Sequence, residues 1–182
     1  MFSRGLIYHL FPVFFFLCFL SSLEAQIFYG EVVKVVDGDT IHVMSRNTKM
    51  KVRLYGIDTP EKGQPYGDQA ALLVSDLSLG AEVMVDVLDI DRYDRFVGIV
   101  KLGDGRILNH ELVEAGLAWW YKQYAPGDTV LRDLEAEARS GERGIWSRKD
   151  AVPPWDWRRG IRSPAEKRLN RSGAVPDLPE AA

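Results

Sequence analysis

The chain has 182 residues, 46% of them hydrophobic and 27% charged, with a formal net charge of −3. That length is enough for one domain with its own core, and a single cysteine, Cys18, excludes a disulfide scaffold. An acidic balance argues against a protein that holds nucleic acid by counterion release alone. It suits an enzyme that grips one or two phosphates locally and lets go.

Residues 1–25 read as a secretory signal rather than as part of the fold. Arg4 is the only full charge before the apolar run from Leu10 to Leu20, and Ser21-Ser22-Leu23-Glu24-Ala25 follows. A basic start, an apolar segment and a small residue before the cut is the order of such a signal, with cleavage after Ala25. The rival is an uncleaved membrane anchor, since Gly5 to Leu23 is nearly long enough to span a bilayer. Pro12 and His9 favour the signal. Cleavage leaves 157 residues, removes Cys18 and keeps the net charge at −3. The exported chain then has only its core for stability.

Residues 28–36 are rich in β-branched and aromatic side chains and predict a strand that ends at the Asp37-Gly38 turn. Thr40 to Met44 and Lys49 to Tyr55 alternate apolar and polar residues across the polar link Ser45-Arg46-Asn47-Thr48, completing a three-strand meander. Tyr66 to Leu79 predicts a helix, with Ala70, Leu72, Leu73 and Leu77 on its apolar face and Gly80 as the stop. Ala81 to Leu88 and Phe96 to Lys101 form a hairpin around Asp91-Arg92-Tyr93-Asp94-Arg95. Leu108 to Ala115 and Thr129 to Ser140 predict two more helices, and Trp119 and Trp120 between them read as core. Residues 26–140 hold 13 Lys and Arg against 19 Asp and Glu, while 141–171 hold nine against four. Residues 151–182 are therefore expected to be a basic, mobile tail, and the run Trp157 to Arg162 a solvated segment, with help in holding nucleic acid as the alternative. The pattern alone defines a generic α+β domain, and its element order fits a small Greek-key barrel with about three helices outside it.

In a meander the first and third strands run the same way. Asp37 at the end of strand one, Asp39 at the start of strand two and Asp58 at the end of strand three therefore meet at one edge. Asp37-Gly38-Asp39 taken alone is best read as a hairpin turn, and Asp58-Thr59-Pro60-Glu61 taken alone as a strand end entering a Pro turn. Their joint occurrence, with Arg53 five residues before Asp58, changes the reading. Clustered carboxylates suit a hard divalent cation (Ca²⁺, Mg²⁺ or Mn²⁺). A guanidinium fork suits a phosphate, and a further carboxylate suits an attacking water. His42 and His110 have no acidic or hydroxyl partner at a recognisable spacing and read as structural or surface residues.

From about Phe28 to Trp146 the chain resembles the thermonuclease (staphylococcal nuclease-like) family, chiefly through Asp37-Gly38-Asp39-Thr40 and Val52 to Glu61. The resemblance implies a five-stranded OB-type Greek-key barrel. It also implies a Ca²⁺ cofactor held by Asp39, Asp58 and the Thr59 carbonyl, with Asp37 reaching the ion through water. Glu61 matches the family's water-activating glutamate, and Arg53 and Arg95 match its two phosphate-binding arginines. By the same match Arg92, Tyr93 and Tyr124 contact substrate. Three departures from the best-known member stand out: Asp94 replaces a small residue, Lys122 replaces a tyrosine, and the link from Glu61 to the first helix is shorter. The implied activity is an exported, sugar-nonspecific endonuclease acting on DNA and RNA and leaving 3′-phosphates, expected to be a monomer without a stable protein partner. Rival readings are a non-catalytic OB-fold module binding single strands and a surface domain whose acidic edge merely binds Ca²⁺. The retention of Arg53, Arg95 and Glu61 favours the enzyme.

Overall fold

A computed structural model describes residues 26–172, with side chains through Arg168. The leader, residues 1–25, and the last ten residues of the tail lie outside the described residues.

The three-strand meander is present as β1 (Gln26–Val35), β2 (Thr40–Ser45) and β3 (Thr48–Leu54). Arg46 and Asn47 both take positive φ in the β2–β3 turn, the conformation that matches the twist of a tight hairpin. A second, longer hairpin joins β5 (Glu82–Ile90) to β6 (Phe96–Leu102). β1 pairs antiparallel with β5, and β3 pairs parallel with β6, Arg53 lying opposite Val97. These two pairings close the five strands into a barrel in the order β1-β2-β3-β6-β5. Alternating positions point inward, so Val32, Ile41, Val43, Val52, Leu54, Val85 and Val100 fill the barrel.

Helices α1 (Gly67–Ser78), α2 (Leu108–Glu114) and α3 (Thr129–Ser140) flank it, the three that the sequence predicts. The Asp128 carboxylate caps α3 by accepting the Leu131 N–H at 3.0 Å. On α1 the buried face runs through Ala70, Val74 and Ser78, spaced by four, with Leu73 and Leu77 half-buried beside it. Leu72 lies on the far side of that stripe and is 61% exposed, contrary to its placement on the apolar face.

Two further corrections matter for the site. Asp58 is not at the end of β3. The chain leaves β3 at Leu54, reverses at Gly56 (φ +74°), and Ile57–Asp58 forms a two-residue strand β4 paired with β7 (Trp119–Trp120). Trp119 and Trp120 are buried, as expected of core residues. The basic tail, expected to be unpacked, is instead built into the molecule over residues 151–168. It forms α4 (Pro154–Arg158) and α5 (Pro164–Ser172). Trp155 stacks on Tyr121 with centroids 5.3 Å apart and planes 8° apart, and meets Trp119 edge-on. The buried pair Ser163 and Glu166 forms a capping box, each accepting the other's backbone N–H at 2.8 and 3.2 Å.

Candidate active site

The Asp37-Gly38-Asp39 turn is held by two close approaches. Asp37 accepts the Asp39 N–H at 3.1 Å. A Cβ on Gly38 would sit 2.7 Å from both Ala70 Cβ and Thr59 Oγ1, so only glycine lets the turn close against α1 and Thr59. Asp39 is thereby buried with every carboxylate oxygen engaged. One oxygen takes the Thr59 N–H and hydroxyl, each at 3.1 Å, and the other the Thr40 hydroxyl at 3.2 Å and the Arg53 guanidinium.

Arg53 stands opposite Thr40 in the β2–β3 register, which sets its guanidinium beside Asp39. It bridges the two buried acids, reaching Asp58 Oδ1 at 2.8 Å as well. Asp58 is 1% exposed. A buried pair of carboxylates is tolerable only with such compensation. Arg95, one residue before β6, donates from Nη1 to Thr40 Oγ1 at 3.3 Å and from Nε to Asp91 at 2.7 Å. Both arginines thus flank Thr40. Burial pushes the Asp91 carboxyl up, but the backbone N–H groups of Arg95 and Tyr93 and the Arg95 guanidinium outweigh it, and its pKa lies below the ordinary carboxylate value. Asp91 therefore stays charged and keeps Arg95 in place.

Glu61 follows Pro60 at the mouth of this cluster, with 39% of its side chain exposed. The short link to α1 is pinned by the buried Gln64. Its Oε1 accepts the Glu61 N–H at 2.9 Å and its Nε2 donates to the Val152 carbonyl at 2.6 Å. Gly67 closes the link from the other end, since a Cβ there would lie 2.2 Å from the Glu61 carbonyl oxygen.

The structure thus brings Asp39, Arg53, Asp58, Thr59, Glu61 and Arg95 to one rim of the barrel, with Asp37 next to them in the turn. Arg92 and Tyr93 sit on the β5–β6 hairpin tip, where Tyr93 is exposed and the Arg92 and Arg95 guanidinium carbons lie 4.8 and 5.6 Å from its ring centroid. Asp94 adopts φ +57°, a left-handed conformation that aspartate tolerates. Tyr124 is 64% exposed on the loop after β7, with its ring 4.8 Å from that of Tyr121. His42 is flanked on β2 by Lys34 and Lys51; burial first, then these lysines and Lys49, hold its pKa low. It has no part in the cluster.

Arg158 belongs to the run that the sequence reads by default as a solvated segment. Its guanidinium lies on Asp58, with Nη2 to Oδ2 at 2.8 Å and Nη1 to Oδ1 at 3.3 Å, and on Glu61 Oε1 at 2.5 Å. Burial works against its charge, yet the two carboxylates raise its pKa above the ordinary guanidinium value. Among the described residues, no three His, Cys, Asp or Glu side chains converge on one point. The Asp37 carboxylate is turned to the backbone of its own turn. Asp39 and Asp58, which Arg53 joins, offer hard carboxylate oxygens of the kind a hard divalent cation takes, and in this structure both pair with guanidinium ions instead.

Comparison with known proteins agrees with this geometry. The family described as "Staphylococcal nuclease homologue" matches residues 51–148, more than half of the chain. An Escherichia coli O157:H7 protein named "Uncharacterized endonuclease" is 44% identical over 147 residues, covering 81% of this chain and 95% of that protein. A Shigella flexneri protein named "Micrococcal nuclease" is 39% identical over 145 residues, covering 75% and 83%. A rice protein named "Probable staphylococcal-like nuclease CAN1" is 36% identical over 115 residues, covering 63% of this chain and 34% of that protein. A closed five-stranded barrel with guanidinium and carboxylate groups gathered on one rim defines a nuclease-type hydrolase. The chain belongs to the staphylococcal nuclease family.

Proposed function

We propose that the chain is an exported, Ca²⁺-dependent endonuclease that hydrolyses the phosphodiester bonds of both DNA and RNA and leaves 3′-phosphates. The observation that carries this reading is the meeting of Arg53 and Arg95 at Thr40, beside the buried Asp39–Arg53–Asp58 triad. Two guanidinium forks at one point supply paired donors for a phosphate and for the charge that grows on it. Asp39, Asp58 and the Thr59 carbonyl would hold the cation, with Asp37 behind them, and when bound it supplies further positive charge against the phosphate oxygens. Glu61 keeps its carboxylate at the open side of the cluster, within reach of water, where it accepts the proton of the attacking water. Tyr93 and Tyr124, both exposed, offer ring faces to sugar or base.

Digestion of plasmid and of RNA by the purified protein, followed by end-group analysis, tests the activity. Fragments bearing 3′-phosphates are expected from both, and intact substrates would overturn the reading. Asp58→Asn removes one full charge from the cation's donor set, and weaker Ca²⁺ binding by calorimetry is the expected result, with cleavage partly restored at high Ca²⁺. Unchanged Ca²⁺ affinity in that variant would remove Asp58 from the ligand set. Export follows from the Arg4 to Ala25 pattern. Intact mass of protein from the host's envelope or medium is expected to correspond to a chain that starts at Gln26. Full-length chain in the membrane fraction would favour the anchor.

A further inference from the structure

Arg158 lies outside the family match, which ends at residue 148, yet it touches two of the proposed active-site carboxylates. Three of its contacts are to Asp58 and Glu61, and a guanidinium has five N–H donors. Two donors therefore have no acceptor among the described residues. The side chain is 44% exposed, enough for an acceptor to reach it from solvent. Its neighbours on the tail behave differently. Arg159 contacts Asp156 at 3.4 Å and Arg162 covers the Trp157 ring, contacts that lie within the tail itself.

Arg158 is not needed to fasten the tail. The Gln64–Val152 hydrogen bond, the Trp155–Tyr121 stack, and the Arg148 contacts to Asp150 and Glu166 already do so. These clamps set α4 over the rim and aim one arginine at Asp58 and Glu61. Without Arg158, a phosphate approaching Glu61 would face that carboxylate unpaired, with Asp58 held by Arg53 alone. A guanidinium that neutralises both acids and still has donors to spare solves that problem at the substrate's point of entry.

Resting on the nuclease reading above, we propose that Arg158 is a third phosphate-binding arginine of the site, delivered by the C-terminal segment. It holds a phosphate of the nucleic-acid substrate through its remaining donors while it screens Asp58 and Glu61. Because Arg158 and a divalent cation draw on the same Asp58 oxygens, its removal frees Oδ2 for the cation and leaves Oδ1 shared with Arg53.

The test is equilibrium binding of a short single-stranded DNA to the protein in EDTA over a range of salt, for wild type, Arg158→Gln and Arg158→Lys. The variants' thermal midpoints are read alongside, and their Ca²⁺ affinity by calorimetry without DNA. Arg158→Gln is expected to bind DNA about tenfold more weakly. Its salt slope is expected to fall by about 0.7, the loss of one phosphate contact on a single strand. Arg158→Lys is expected to keep most of the slope, and Arg158→Gln to bind Ca²⁺ more tightly than wild type. A purely structural role would lower the thermal midpoint and leave the salt slope unchanged. Equal DNA affinity and slope in wild type and Arg158→Gln would overturn the proposal while leaving the nuclease reading intact. Failure of wild type to bind DNA even at low salt would overturn both.

Discussion

Replacing Arg95 by lysine is expected to lower kcat almost as far as replacing it by alanine. The guanidinium sits between Asp91, which fixes its Nε, and Thr40, which its Nη1 reaches, so its fork is aimed before substrate arrives. An ammonium carries the charge but cannot span both partners or present two parallel donors to a phosphate. If Arg95 stabilises charge that grows only in the transition state, the loss appears in kcat rather than in KM. A transition-state arginine contributes about 10³–10⁵ in rate in other phosphoryl-transfer enzymes, or roughly 4–7 kcal/mol. The fold is expected to survive, because Asp91 keeps the backbone N–H donors of Tyr93 and residue 95. Single-turnover and steady-state rates on one oligonucleotide, with a thermal midpoint for each variant, check this. Near wild-type kcat in Arg95→Lys would remove Arg95 from the transition state.

Glu61→Gln is the second large effect. The substitution is close to isosteric, leaves the Glu61 N–H on Gln64, and keeps an oxygen for Arg158. What it removes is the capacity to take a proton. A general base contributes about 10²–10⁴ in rate, roughly 3–5 kcal/mol, so kcat falls by that factor while KM stays close to wild type. The thermal midpoint is expected to move little, because the side chain is more than a third exposed. A fall in KM-determined affinity with kcat preserved would make Glu61 a binding group and reopen the non-catalytic module reading.

How far the site was legible in the chain depends on the range of the interaction. Asp37 and Asp39 are marked by an Asp-Gly turn, a local signal, and the turn is where the pattern puts it. Arg53 is placed by strand register, again local once β2 and β3 are recognised. Asp58 was placed correctly at the rim but for an incomplete reason. Period-two alternation cannot reveal that Gly56 breaks β3 or that two residues then pair with Trp119 and Trp120, more than sixty positions away. The link from Arg158 to the site is not legible, because its partners are 97 and 100 residues distant and an ion pair of that range leaves no periodicity. Local hints did exist. Ser163-Pro164-Ala165-Glu166 is a capping box with proline at the first helical position, and Pro153-Pro154-Trp155-Asp156-Trp157 carries two large aromatics that a solvated tail has no use for. Charge composition, which averages over the segment, concealed both.

In the proposed reading, the roles of Asp39, Asp58, Glu61, Arg53 and Arg95 depend on a cation completing the rim. The most direct measurement is the rate of cleavage of one plasmid and one RNA by the purified protein, in Ca²⁺, after addition of EDTA, and after Ca²⁺ is restored in excess. The account predicts cleavage of both substrates in Ca²⁺, loss in EDTA and full return on restoration. An unchanged rate in EDTA would contradict it.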